Sequence, residues 1–423
     1  MTSQAAAAAA RSAANPYRVL IAGGCYGGLA AAVNLIEKCD TIENPIPIDI
    51  TIVDERDGYY HLIGSPLALS SVSYSEKAWV VFKDIPVLQR PDVRFVHGSL
   101  SKVDCERKVA TILEFPDRTP REQSYDFFVA ATGLRREWPT VPQSTTRETY
   151  LEETRRHIEA VTAPNASVLV VGGGAVGIEM AAELKYVQPH VKVTLAHSRD
   201  KLLSAEPLPD SVKDCALELT QQGGVEVLLN HRLLRTTPIP SEKKDGATEE
   251  EAAAAYEVEF ENGHRLKVTH VIMAVSRSVP TSGYLPPAAL ADDGYVLVRP
   301  TLQLQPSVHV PNADTHFAVG DMISWTGIKR CGSAMYQGLH AGRNIHQMIL
   351  QDLRRVEGGE IEPPVFMEIS PTPPMIGLAV GNTALAYGTD GMKHGRQIME
   401  WYFEEDLGFR ICWDHIRLGG LKA

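Results

Sequence analysis

No run of about 18 uncharged apolar residues, the length a membrane-crossing helix requires, occurs in this chain of 423 residues, so a transmembrane segment is not expected. A basic excess is missing as well. Lys and Arg number 41 against 52 Asp and Glu, a formal charge of -11, whereas a nucleic-acid surface carries a basic stripe; nucleic acid is not an expected partner. Cysteine is scarce and scattered. Cys25, Cys39, Cys105, Cys215, Cys331 and Cys412 make no C-x-x-C, which removes a local zinc pair and a local redox dithiol, so no metal site is expected. The opening MTSQAAAAAARSAANPYR lacks a secretory apolar stretch, and Thr2 stands where myristoylation needs glycine. The expected location is cytoplasmic. A mitochondrial address stays open because that tail lacks acidic residues, and a membrane-associated location is the other alternative.

What the chain does have is size and a repeat. With 44% hydrophobic residues it exceeds one core and implies two or three domains. VLIAGGCYGG at 19–28 recurs as VLVVGGGAVG at 168–177. The second copy carries Gly172, Gly174 and Gly177 in full G-x-G-x-x-G spacing; the first runs Gly23, Gly24, Cys25, Tyr26, Gly27, Gly28, with Cys25 in the place of the middle glycine. In such a turn the first glycine takes an unusual backbone angle, the second lets a pyrophosphate approach, and the third lets helix and strand pack closely. The phosphates then lie at the helix N-terminus.

Each turn sits in a β-α-β pattern. PIPIDITIVDE at 45–55 closes a strand on Asp54 and Glu55, and Asp54 is placed to accept hydrogen bonds from an adenosine ribose. In the second copy, VKVTLAHSR at 191–199 ends in Ala196, His197, Ser198 and Arg199 with no acid. Nothing there rejects a 2′-phosphate, and Arg199 with His197 suits one, although a solvated Arg199 fits equally. NADPH and NADH both remain open.

Antiparallel ribbons follow each unit, at 93–115 and at 225–269, leading to FFVAATG at 127–133 and HVIMAVSR at 270–277. The charged SEKKDGATEEEAAAA, 241–255, is expected to be an exposed, mobile loop. GYVLVRPTLQ at 294–303 and THFAVGD at 315–321 return to the first half, and a smaller unit begins near Glu362.

The order and spacing of these pieces resemble the two-dinucleotide-domain flavoproteins. Within them, VTLAHS, LPDSVKD and the missing local dithiol are similar to the apoptosis-inducing-factor-like and ferroptosis-suppressor-like NAD(P)H oxidoreductases, related to type II NADH dehydrogenases. The resemblance implies an α/β fold with tandem Rossmann-like FAD-binding and NAD(P)H-binding domains and a small C-terminal α+β unit. Its divisions fall at 15–164 and 286–361 for FAD, 165–285 for NAD(P)H, and 362–423 for the C-terminal unit. It assigns the first turn, Asp54 and Glu55 to FAD; Ala131, Thr132 and Gly133 to the crossover beside the flavin; Gly320 and Asp321 to the ribityl or pyrophosphate region; and Gly172 to Gly177 to NAD(P)H.

The implied reaction passes hydride to flavin and then electrons to a quinone-like or aromatic acceptor. His61, after Tyr60, is the candidate proton donor to that acceptor. Lys329, near Trp325 and Arg330, is a candidate to offset the charge of reduced flavin. The absence of neighbouring cysteines argues against disulfide reductase chemistry. Phe403, Phe409, Ile411, Trp413 and Ile416 offer an apolar face for quinone access, a peripheral membrane contact or a homodimer, or simply pack on the flavin domain. Two other functions stay open: a flavin-dependent oxidase or reductase of a specialised metabolite, and a non-catalytic interaction protein with an altered cofactor site.

Overall fold

The computed structural model describes residues 11–41, 45–240, 253–275, 278–356 and 363–421. Residues 1–10, 241–252 and both Ser276 and Arg277 lie outside the described residues, so the expected loop and the second copy's counterpart of Ala131 to Gly133 are described only in part.

Two parallel sheets form around the repeated strands. Tyr17–Ala22 (YRVLIA) is almost wholly buried, as befits a largely apolar strand covered on both faces of a parallel sheet. It lies between Phe127–Ala130 and Ile48–Asp54, parallel to both. His316–Ala318 adds on parallel to Phe127–Ala130, so a segment from late in the chain completes the first half's sheet. In the second half, Ser167–Val171 lies between Lys192–Ala196 and His270–Met273, with Glu226–Leu228 at the edge, all parallel.

The antiparallel ribbons are handled differently in the two halves. Val93–Asp104 pairs parallel with Ile48–Asp54 as far as His97 and from Gly98 onward antiparallel with Val109–Glu114, with an irregularity between Leu100 and Lys102. Such a bulge bends a strand without ending it. In the second half the chain is cut into shorter pieces than its alternation suggests. Asn230 at φ 60° ends one run, and Gly263 at φ 82° splits 256–269 into two antiparallel strands, both in the left-handed region that turns use.

Two helices lock the first half. Tyr26–Cys39 and Cys331–Val356 pack so closely that a Cβ at Gly338 would meet the Gly27 carbonyl oxygen, and one at Gly342 the Ala31 carbonyl oxygen. The C-terminal unit has no separate core. Ile376, Leu378 and Leu385 join the core of the second half; Ile398, Met399 and Phe403 pack with Tyr60, Trp79 and Tyr150; Phe409, Cys412 and Ile416 join the core of the first half. Phe403, Phe409 and Ile416 thus face inward, while the exposed aromatics of this unit are Trp401 and Tyr402, at 60% and 54%. Among the described residues no helix is long and apolar enough to cross a membrane.

Candidate functional site

The two glycine turns are built alike. Gly23 turns at φ 104° and Gly172 at φ 121°, where an L side chain rarely goes. The Gly23 N–H donates to the Val53 carbonyl at 2.8 Å and the Gly172 N–H to the Ala196 carbonyl at 2.8 Å. A Cβ at Gly28 would run into the Gly23 carbonyl oxygen, and one at Gly177 into that of Gly172. The protein itself therefore requires the first and third glycines in both halves.

The middle position is free of that demand. A Cβ at Gly174 meets nothing within 4 Å, and Cys25 has ordinary extended backbone at φ -116°, ψ -153°. Cys25 caps helix Tyr26–Cys39 as Gly174 caps Ala175–Val187. Its thiol donates to the Tyr60 carbonyl at 3.3 Å. The altered turn keeps the backbone of the intact one, and both helix N-termini retain N–H groups for a pyrophosphate.

A second correspondence was hidden in the sequence. The Gly24 N–H donates to Asp54 Oδ2 at 2.6 Å, and the Gly173 N–H donates to His197 Nδ1 at 3.0 Å. His197 therefore occupies the station that Asp54 holds in the first half. Because its Nδ1 accepts, its Nε2 carries the proton and donates to Ser204 Oγ at 2.8 Å. Burial, helped by nearby Arg199, lowers its pKa, so the ring is a neutral stand-in for a carboxylate. Arg199 is exposed and anchored at Nη1 on the Ser204 carbonyl, 3.3 Å away. Burial raises the pKa of Asp54 against the opposing Arg56 charge and the N–H groups of Arg56 and Gly24.

Around the first turn the remaining candidates converge in part. The Ala131 N–H donates to the Ala22 carbonyl at 2.7 Å, and a Cβ on Gly23 would meet the Ala131 carbonyl, so the crossover runs beside the turn. Thr132 Oγ1 lies 2.9 Å from the Tyr284 hydroxyl and 2.8 Å from the Thr281 carbonyl. Gly133, at φ 66°, has open space where a Cβ would be. Asp54, Glu55, Thr132, Arg136 and Tyr284 line a cavity of about 330 Å³. Glu55 is held at its rim by Arg135, 2.7 Å away.

Gly320 turns at φ 81° and its N–H donates to Gln337 Oε1 at 2.7 Å. Asp321 beside it is half-buried, and loss of solvent around its carboxyl raises its pKa against the charges of Arg136 and Lys329. Lys329 donates to the Ile323 carbonyl at 2.6 Å and lies 5.0 Å from the Tyr295 ring centroid, so it is a tethered cation on the Asp321 side.

His61 is placed otherwise than its sequence position suggests. It is fully buried; Nε2 donates to the Leu407 carbonyl at 3.0 Å, and Nδ1 lies 3.2 Å and 3.1 Å from the Tyr26 and Tyr59 hydroxyls. Burial pushes its pKa down to about 4. Its polar atoms are spent on packing the C-terminal unit, which leaves none to donate a proton to an acceptor. The Tyr26 side chain likewise points inward, and only its backbone belongs to the turn.

A larger hollow of about 510 Å³, lined by Trp138, Arg156, His157 and His270, is not the cofactor groove. It touches the start of strand His270–Met273, whereas ligands of open parallel sheets bind beyond the strands' C-terminal ends.

Glu179 escaped sequence reasoning. On the helix of the second turn, it accepts the Ala379 N–H at 3.2 Å, and burial raises its pKa to about 8. Its partner lies far along the chain, so no spacing signal discloses it.

The residues fit FAD on three counts: a glycine turn that opens onto a helix N-terminus, open space at Gly133, and a carboxylate, Asp321, set against the charges of Arg136 and Lys329. A family model described as pyridine nucleotide-disulphide oxidoreductase matches residues 17–338. The chain belongs to this family. It is an oxidoreductase whose cofactors are FAD and NAD(P)H.

Relatives of the pyridine nucleotide-disulphide oxidoreductase agree with that placement. Oxidoreductase OXR1 of Ajellomyces capsulatus is 44% identical, covering 99% of this chain and 91% of the relative. Ferroptosis suppressor protein 1 of Homo sapiens is 25% identical over 76% of this chain and 78% of its own. In fold, the sulfide:quinone oxidoreductase of Aquifex aeolicus superposes with TM-score 0.64 at 17% identity, covering 96% of this chain and 92% of that one. NDH2 of Plasmodium falciparum superposes with TM-score 0.64 at 11% identity, covering 96% and 97%.

Proposed function

We propose that this oxidoreductase takes hydride from NADPH in preference to NADH and delivers electrons through FAD to a small quinone-like aromatic acceptor. The observation that carries the donor half is the neutral His197 in the station where the first half has Asp54. A carboxylate there would repel a 2′-phosphate; an imidazole does not, and exposed Arg199 offers it a guanidinium.

When bound, the flavin supplies the two-electron chemistry, so no protein nucleophile is needed for hydride transfer. The chain's own residues bind and orient. The turns at Gly23 and Gly172 hold the two pyrophosphates at helix N-termini, Asp54 receives the adenosine ribose, and Asp321 with Lys329 sets the charge on the opposite side. Glu179, protonated at neutral pH, presents a neutral carboxyl beside the second turn. The acceptor half is supported by the shared fold of the Aquifex aeolicus sulfide:quinone oxidoreductase, an enzyme that uses a quinone, and by the exposed aromatic surface of Trp401 and Tyr402, suited to contact with an apolar acceptor source.

The test is anaerobic mixing of the purified, FAD-loaded protein with NADPH and with NADH, followed by a panel of quinones and then by oxygen. The expected result is faster bleaching of the flavin band by NADPH and reoxidation by quinones before oxygen is admitted. Failure of both donors to bleach rejects the hydride step, and reoxidation by oxygen alone rejects the quinone acceptor.

A further inference from the structure

The hollow of about 510 Å³ opens where three pieces of chain meet: Trp138 in the crossover out of the first half, helix Arg147–Val161, and His270 at the start of strand His270–Met273 in the second. His270 lies beside Val168, at the end of the sheet opposite to Gly172, so the hollow is separate from both glycine turns. Along the helix, Glu152, Glu153, Arg156, His157 and Ala160 face it together, at the three- and four-residue spacing that shares one helical face.

Three rings form one wall. His157 stands between Trp138 and His270 and meets each edge to face, with centroids 5.5 Å and 5.4 Å apart and planes at 86° and 78°. It is only 6% exposed, yet its Nε2 has no hydrogen-bond partner. A buried polar atom left unpaired costs free energy, so an imidazole held in that place calls for a partner the chain does not supply. Burial, with a smaller effect of neighbouring His270, pushes the His157 pKa down to about 3, and burial lowers that of His270. Each ring is therefore neutral at pH 7 and offers one N–H and one lone pair.

Charge narrows the ligand further. Elsewhere the chain makes helix-spaced pairs between Arg396 and Glu400 and between Arg410 and Asp414. Arg156, four residues after Glu152, makes none among the described residues and is exposed. Its guanidinium is open to a carboxylate, which it can receive in bidentate fashion. Glu153 accepts the Ser144 hydroxyl at 2.6 Å, and with Glu152 it places negative charge one helical turn away from Arg156. A single carboxylate fits beside that pair, whereas a phosphate or a dicarboxylate is repelled. The Trp138 ring and the Ala160 methyl group suit a flat apolar body.

We propose that this hollow binds a small aromatic monocarboxylate, with its ring against Trp138 and its carboxylate shared between Arg156 and an imidazole N–H of the histidine pair. The site needs neither hydride donor nor electron acceptor, so it stands or falls independently of the function proposed above.

The experiment titrates FAD-loaded protein with benzoate by isothermal calorimetry. Benzamide, the same shape without the charge, and inorganic phosphate, a charge without a ring, are run in parallel. One benzoate site with a Kd of about 0.1–1 mM is expected, with both other compounds about tenfold weaker or more. Arg156→Ala, at an exposed position, should weaken benzoate about tenfold and leave benzamide unchanged. In protein labelled with carbon-13 at histidine, benzoate should shift the ring signals of His157 and His270, assigned from His157→Phe and His270→Phe. No benzoate binding overturns the proposal. So does binding that Arg156→Ala leaves intact and that moves neither ring signal, which would put benzoate elsewhere on the protein. Equal affinity for benzamide overturns the carboxylate assignment, and equal affinity for phosphate overturns the aromatic one.

Discussion

Gly24 and Gly173 each donate a backbone N–H to the side chain that ends the next strand, a carboxylate in one half and an imidazole in the other. At the residue scale, that exchange of Asp54 for His197 gives the clearest lever on donor choice. His197→Asp keeps an acceptor for the Gly173 N–H and returns a negative charge to the ribose end. The expected outcome is a fall of about tenfold in kcat/KM for NADPH, about 1.4 kcal/mol, with NADH much less affected. Parallel steady-state assays with both donors read it. Equal losses for both would show that position 197 does not read the 2′-phosphate.

Buried titratable residues set a pH dependence with two opposing signs. Burial holds His61 at about 4, His157 at about 3 and His316 at about 4, below an ordinary value of about 6.5. The unfolded chain takes these protons first, so stability falls as pH drops from about 6.5 towards 4. Glu183 behaves oppositely. Burial raises it to about 8, so its contribution is complete below about 4.5 and is lost as pH rises through 8. Glu183→Gln keeps the size and shape of the side chain and removes the titration. Urea unfolding should show the variant gaining about 1 kcal/mol or more over wild type at pH 8 and little at pH 5; an equal effect at both would mean that Glu183 is not protonated in the folded protein.

At the scale of elements, the contact between Tyr26–Cys39 and Cys331–Val356 is the joint on which the flavin site turns. A side chain at Gly342 must displace the backbone of Ala31, and a helix cannot yield at one residue without moving its ends. Gly342→Val should cost about 1–3 kcal/mol as overpacking and also lower bound FAD, because Cys25 and Gly28 open one of these helices and Cys331 the other. Thermal melts and flavin content after desalting measure the two effects. Full flavin content in a destabilised variant would show that the joint does not position the turn.

The same elements show what can be read from a chain alone. Gly28 and Gly177 are legible because their demands are local: each is fixed by the carbonyl of the first glycine of its own turn. Gly23, Gly172 and the strand-end acid Asp54 are legible by their spacing from those turns, although what Gly23 and Gly172 meet, Ala131 and Ala274, comes from distant strands. His197 was visible as a residue but not as the replacement of that acid, since the equivalence rests on a hydrogen bond to Gly173. His61 was misread because its position after a ribose-binding strand says nothing of Leu407, which approaches from the far end of the chain.

At the scale of the whole molecule, the C-terminal unit behaves as a wedge. Its strand Ile376–Val380 fills the core of the second half, its helix Arg396–Tyr402 covers Tyr60 and Trp79, and its helix Phe409–Ile416 closes the first half. Lys77 pairs with Asp406 at 2.6 Å, and Tyr74 donates to the Asp406 carbonyl at 2.6 Å. A unit whose apolar residues belong to three other clusters cannot be a separable appendage, because its removal exposes apolar surface that costs about 25 cal/mol for each Å². Ending the chain at Pro374 should therefore not leave a folded pair of dinucleotide domains. The expected product is aggregated or lacks bound FAD, and the intact protein should unfold the two halves in one cooperative transition. Flavin fluorescence and far-ultraviolet circular dichroism recorded through the same melt test the coupling: coincident midpoints are expected, and an early flavin release with the second half still folded would show that the wedge does not bind the halves into one unit.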